Sequence, residues 1–167
     1  MKKLATFSTF LLLFVGLMAQ PGSSLLDFSG KVFTETKKDN KVTIKLYEGN
    51  KVISEYQTKR NGKFVMSLER NKNYTVEFAQ VNYITKRISI DTEVNPREAA
   101  SAKEFKFDVS LIKEQENVNY SNLDFPIALI EFQNSMGQFN YNKTYTEKML
   151  EEQNKLLGEN LNMALID

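Results

Sequence analysis

The chain has 167 residues, with 22 basic and 21 acidic side chains, 41% hydrophobic and 26% charged content, and neither histidine nor cysteine. Such a composition is globular, not disordered. It excludes imidazole general bases, thiol nucleophiles, Ser-His-Asp triads and Cys/His zinc sites, leaving carboxylate catalysis and oxygen-ligand metals.

The N-terminus reads as a secretory signal peptide. Lys2 and Lys3 precede an apolar run from Leu4 to Met18. Small residues follow at Gly16 and Ala19, then Pro21-Gly22. Cleavage is expected after Ala19, so residues 1–19 are the signal. The run is short for a membrane anchor, and Ser8 and Thr9 interrupt it. No cysteine follows it, which excludes a lipoprotein anchor. The expectation is an exported protein, periplasmic or extracellular. Losing Lys2 and Lys3 leaves 20 basic against 21 acidic residues. That balance sets up no field for nucleic acid or an anionic membrane. An exported chain without cysteine must also draw its stability from its core, not from disulfides.

Residues 20–26 read as a leader. Period-2 patterning then predicts seven strands. The first covers Phe28 to Phe33, with Phe28, Gly30 and Val32 on one face. Thr34 to Asn40 is a polar turn. The second covers Val42 to Tyr47, with Val42, Ile44 and Leu46 inward and Thr43, Lys45 and Tyr47 outward. Val52 to Thr58 and Phe64 to Leu68 read as a hairpin around Asn61-Gly62. Register favours a loop from Lys59 to Lys63, opposing Thr58 to Phe64, Tyr56 to Met66 and Ser54 to Leu68, and burying Tyr56 and Val52. The fifth strand carries Tyr74, Val76 and Phe78 inward, with Thr75 and Glu77 outward. The sixth covers Ile84 to Ile90, with Ile88 and Ile90 inward. A charged loop from Asp91 to Glu104 leads to the seventh, Phe105 to Leu111. Short alternating strands with turns between them predict an all-β, two-sheet sandwich over residues 26–112.

Residues 113–167 read as an extension. Pro126 to Phe132 is an eighth strand, Asn134 to Gly137 a turn and Gln138 to Tyr141 a return strand. Thr144 and Glu147 form a capping box for an amphipathic helix from Tyr145 to about Leu161.

Phe28-Ser29-Gly30-Lys31-Val32, Val42 to Tyr47, Thr58 to Phe64, and Tyr74 to Phe78 with Tyr83 resemble the carboxypeptidase regulatory-like domain. The chain is also similar to small exported Bacteroidota proteins in which a Pro-Ile-Ala…Phe-x-Tyr…Tyr segment follows that domain. Here those residues are Pro126-Ile127-Ala128, Phe139, Tyr141 and Tyr145. The resemblance implies a seven-stranded prealbumin-like (transthyretin-like) Greek-key sandwich and an accessory module without catalytic residues. Lys59 stands where the family hairpin has Asp, and Asn82 where its corner has Gly.

No catalytic, cofactor or metal residue is expected. Glu151 and Glu152 are adjacent on a helix and do not face each other. Asp39-Asn40 and Asp91-Thr92-Glu93 are too sparse for calcium. A carboxylate hydrolase needs two facing carboxylates in a cleft. The expected function is non-enzymatic protein–protein contact in the cell envelope, with strand addition at an exposed edge as the mode. The alternative is a carbohydrate- or peptidoglycan-binding module. Tyr47, Tyr120, Phe132 and Tyr141 are the candidate interaction surface, an aromatic platform for a sugar ring or a partner protein.

Overall fold

The computed structural model describes residues 25–35, 41–95, 97, 98, 102 and 104–164, with 162–164 by backbone alone. Expectations placed on residues 1–24, 36–40, 96, 99–101, 103 and 165–167 lie outside these. The described strands are β1 (Leu26–Phe33), β2 (Thr43–Glu48), β3 (Lys51–Gln57), β4 (Lys63–Leu68), β5 (Asn73–Ala79), β6 (Lys86–Asp91), β7 (Phe105–Ser110), β8 (Pro126–Gln133) and β9 (Gln138–Tyr141). Helix α1 (Lys143–Ala164) follows them. Each expected strand is present, its ends displaced by a residue or two.

The strands form two sheets. One has three strands in the order β4-β1-β7, and the other six in the order β3-β2-β5-β6-β8-β9. The chain is thus an all-β sandwich with one C-terminal helix. Alternation decides the inner faces. Phe28 and Val32 of β1, Phe64, Met66 and Leu68 of β4, and Phe107 and Val109 of β7 are buried. They meet Ile44 and Leu46 of β2, Tyr74, Val76 and Phe78 of β5, and Ile88 and Ile90 of β6. Aromatic rings join the sheets: Phe64 lies 5.3 Å from Phe78 and 5.2 Å from Phe107, centroid to centroid. Thr92 is fully buried just past β6. Its hydroxyl accepts from the Lys72 N–H at 2.9 Å and faces the Lys72 and Glu69 carbonyls at 2.7 and 2.8 Å, tying the β4–β5 turn to β6.

The expected β3–β4 hairpin is corrected. β3 pairs with β2, with Tyr56 opposite Ile44, and β4 pairs with β1, with Phe64 opposite Gly30. The chain crosses from one sheet to the other between Thr58 and Lys63. Thr58 anchors the departure: its N–H donates to the Val42 carbonyl at 2.9 Å, and its hydroxyl accepts from the Val42 N–H at 3.0 Å. Gly62 anchors the arrival, its carbonyl accepting from the Val32 N–H at 2.9 Å. Gly62 has φ +78°, and a Cβ there would overlap the Val32 carbonyl oxygen, so only glycine fits. Asn61 takes the capping role absent from Lys59, its Oδ1 accepting from the Lys63 N–H at 3.2 Å. Alternation failed to separate hairpin from crossover because both sheets aim their apolar faces at one core. Val52, expected inward, is exposed because the β2–β3 ladder slips between Leu46 and Tyr47 and sets it opposite outward-pointing Tyr47.

The residues after β7 continue the larger sheet. β8 runs parallel to β6, with Ala128 beside Ile88 and Ile130 beside Ile90, and β9 returns antiparallel to β8. Ala128, Ile130 and Phe139 are core residues. Phe139 packs edge-on against Phe28 at 5.2 Å, linking β9 to β1. Helix α1 lies along β8, and the Tyr145 hydroxyl donates to the Pro126 carbonyl at 3.1 Å.

The helix cap is Asn142, not Thr144. Helical structure begins at Lys143, and Asn142 Oδ1 accepts from the Tyr145 N–H at 2.9 Å. Asn142 also donates to Glu131 Oε1 at 3.0 Å. Its position directly after β9 lets one side chain cap the helix and hold β8, which exposed Thr144 cannot do. Asn142→Ala is expected to cost about 1 kcal/mol and Thr144→Ala close to nothing. Urea melts of the two variants check this.

Candidate binding cleft on the outer face

The outer face of the larger sheet is not a plain solvated surface. Glu77 points outward from β5 as its parity requires, yet it is only 5% exposed. The segment from Glu114 to Asp124 covers it, and a cleft of about 490 Å³ remains between segment and sheet. Arg87 stands beside Glu77 on β6, because the two are opposed across the β5–β6 ladder. Arg87 Nε and a terminal nitrogen donate to Glu77 Oε2 at 2.9 and 2.6 Å. The Tyr47 hydroxyl reaches the same oxygen at 3.3 Å, and Lys45 Nζ lies 3.7 Å from Oε1. The other terminal nitrogen of Arg87 pairs with Asp124 Oδ1. One guanidinium therefore bridges a buried carboxylate of the sheet and an exposed carboxylate of the covering segment.

Burying a carboxylate costs several kcal/mol unless it is paired and hydrogen-bonded, and Arg87 supplies most of the compensation. Arg87→Met is expected to destabilise the fold by about 2–3 kcal/mol, below the range for a fully buried pair because Arg87 is itself partly exposed. Lys45 would remain as the partner of Glu77. A shift in the urea midpoint at unchanged slope checks this.

A second cavity, of about 290 Å³, adjoins the first. Arg87 and Asp124 line both. Tyr47, Asn50 and Pro126 line the second, and Asn119, Tyr120 and Glu114 the first. Together they make a groove with the Arg87–Asp124 pair as a saddle at its middle.

Of the four aromatic residues singled out from the sequence, two meet here. Tyr47 and Tyr120 are half-buried, Tyr47 lining the second cavity and Tyr120 the first. The Tyr120 hydroxyl accepts from the Gln115 N–H at 3.2 Å, which fixes its ring to its own loop. Phe132 and Tyr141 lie on the other face of the sheet, packed against the core. Phe132 contacts Phe139 edge-on at 5.4 Å, and Tyr141 contacts Phe105 at 5.8 Å. Burial and the nearby Asp108 carboxylate raise the Tyr141 pKa above the usual tyrosine value.

Sequence reasoning missed Glu77, Arg87, Glu114 and Asp124 as a group. They are far apart in sequence, and only Glu77 and Arg87 sit on predicted strands. They place carboxylates together in a cleft, the arrangement a hydrolase needs. A glycosidase also needs one carboxyl free to donate a proton to the leaving oxygen. Here Glu77 and Asp124 share one guanidinium, and Glu77 also faces Tyr47. Among the described residues, no group of three or more His, Cys, Asp or Glu side chains could hold a metal ion.

Lys86 also escaped notice, although it shares the inward parity of Ile88 and Ile90. It is 9% exposed, and burial lowers its pKa from the ordinary 10.5. A folded pKa below the unfolded value means that the unfolded chain holds more protons in the window between them. Stability therefore rises with pH from the depressed value up to 10.5. Lys86→Met removes this dependence. The variant is expected to out-melt the parent at neutral pH, with an advantage that shrinks as pH approaches 10.5. Thermal melts of both chains across that range check the sign.

No protein-family description and no curated protein matches this chain. Among solved structures it is similar to S.CueP, at 17% identity over 54% of this chain and 64% of that one, with TM-score 0.36. It is similar to a DUF3823 family protein from Parabacteroides merdae, at 13% identity over 53% of this chain and 46% of that one, with TM-score 0.37. It is also similar to the minor pilin of Streptococcus agalactiae, at 14% identity over 58% of this chain and 48% of that one, with TM-score 0.38. The matched region spans less than two thirds of each of these structures. Among the described residues, no helix is long and apolar enough to cross a membrane.

Proposed function

We propose that this chain is an exported, non-enzymatic protein of carboxypeptidase regulatory-like type that binds a partner protein in the cell envelope by strand addition at β3. The basic start and short apolar run of residues 1–19 support export. The division of β1–β7 into three and four strands supports the family reading. So does Asn82, whose φ of +66° meets the left-handed demand that the family meets with glycine.

The observation that carries the interaction is the exposure of β3. It is an edge strand of seven residues without proline, exposed along its length apart from half-buried Tyr56. The other edge strands, β4, β7 and β9, are shorter. The Tyr56 hydroxyl occupies the Val65 carbonyl of β4 at 3.3 Å, which blunts that edge. In β3 the ladder to β2 slips between Leu46 and Tyr47, leaving Ile53 without an opposite residue. This irregularity guards the edge against long pairing. It also leaves Val52 and Ile53 each 43% exposed. Ser54 to Gln57 stay regular and offer backbone groups to an extended segment of a partner, with Val52 and Ile53 as its apolar contact.

The test is affinity capture from envelope extract with the mature chain, a Val52→Lys/Ile53→Lys chain and a Val65→Lys control. The parent and the control should recover the same protein, and the double variant should lose it. Capture that survives the β3 changes, or retention on glycan beads with no protein recovered, would sink the reading.

A further inference from the structure

We propose that the groove crossed by Arg87 and Asp124 binds a neutral, hydroxyl-rich saccharide. This does not rest on strand addition at β3: the groove lies over β2, β5 and β6 and reaches only the β2–β3 turn at Asn50.

The volumes come first. Cavities of about 490 and 290 Å³ share Arg87 and Asp124 in their walls, and the larger alone is the size of a small-molecule site. The chemistry of the lining then narrows the ligand. Its walls are rich in carboxylate, guanidinium, amide and hydroxyl groups, with few aliphatic side chains. An apolar ligand would strand those polar groups without water. An anionic ligand would face Glu77, Glu114 and Asp124, while the one guanidinium lining the groove is already held by two of them. Sugar hydroxyls both donate and accept, so they can satisfy carboxylate oxygens and the Asn50 and Asn119 amides alike. The apolar face of a pyranose ring can lie on a tyrosine, and each cavity has one in its wall, Tyr120 in the larger and Tyr47 in the smaller.

The site is also preorganised. Glu77 is held at once by Arg87, Lys45 and Tyr47. Tyr120 is pinned through its hydroxyl to the Gln115 backbone. Little side-chain freedom remains to be lost when a ligand enters, and low ordering cost is what allows a shallow polar groove to bind.

The test is titration calorimetry of the full mature chain with neutral probes: cellotetraose, maltotriose and the trisaccharide of N-acetylglucosamine. At least one should bind. Tyr120→Ala should weaken that binding about tenfold, the loss of one aromatic stacking partner. Asn50→Ala, at the exposed turn between β2 and β3, should weaken it as well. Melting curves confirm that both variants are folded. No heat with any probe up to its solubility overturns the proposal, as does binding that neither substitution weakens. Trilysine binding in the groove in place of every sugar overturns it in favour of a basic peptide. Hydrolysis of the probe during titration overturns it in favour of a carboxylate enzyme.

Discussion

Gly30→Ala is expected to destabilise the protein by about 3 kcal/mol or more, the upper part of the range for overpacking. Gly30 is central in β1 and sits between Phe64 of β4 and Phe107 of β7. A Cβ built there would overlap the Phe107 carbonyl oxygen and come within 3.0 Å of the Phe64 ring tip. The carbonyl belongs to the β7 backbone, so no rotamer change relieves the overlap. Relief requires β1 and β7 to separate, which breaks the parallel ladder and loosens the packing of Phe64 on Phe107. The missing side chain is therefore what lets two aromatic rings close over the strand. Gly158→Ala has the opposite expectation. That glycine lies in α1 with nothing within 4 Å of an added Cβ, so alanine should stabilise by up to about 1 kcal/mol. Urea unfolding of the two variants should move the midpoint in opposite directions at an unchanged slope. A Gly30→Ala chain as stable as the parent would show that β1 and β7 are not packed at this separation.

Phe139→Ala is expected to cost about 3–5 kcal/mol, the range for removing a buried aromatic side chain. Phe139 is 3% exposed and touches two rings: Phe28 of β1 at 5.2 Å and Phe132 of β8 at 5.4 Å. Through Phe28 it reaches Phe105, and Tyr141 of the same strand reaches Phe105 directly. Strand β9 thus packs on β1 and β7. The measurement also bears on the division between residues 26–112 and 113–167. One unfolding transition that moves as a whole would mean that the two regions fold together. A transition that stays at the parental midpoint beside a second, weakened one would mean that they fold apart. A chain ended at Ile112 is expected to lose cooperative unfolding, since Ile88 and Ile90 would then lack Ala128 and Ile130 beside them.

Much of the fold was legible because a strand writes its facing into every second residue. Val42, Ile44 and Leu46 declare their side without any partner in view. So do Phe64, Met66 and Leu68, and all six are buried. The same code is silent about which strand lies alongside. Val52 to Leu68 therefore read as a hairpin, and Thr58, Gly62 and their bonds to Val42 and Val32 make it a crossover. The cap of α1 shows a second limit. Thr144 and Glu147 satisfy a local rule, but Asn142 wins because β9 delivers it to both Tyr145 and Glu131. The groove was the least legible feature. Tyr47 and Tyr120 could be named as aromatic residues with an outward or irregular setting. Nothing local announced that Arg87 would join Glu77 to Asp124 between them.

The sequence by itself determined the all-β class, the places of the strands, the inward and outward faces, and the absence of imidazole and thiol chemistry. These are properties of composition and of period-2 alternation, which each segment carries alone. Only the tertiary structure decided that β3 and β4 part company, that β8 and β9 complete the larger sheet, and that outward-pointing Glu77 is buried. Those depend on which segments lie side by side, and sheet pairing joins backbones regardless of the side chains that distinguish one strand from another.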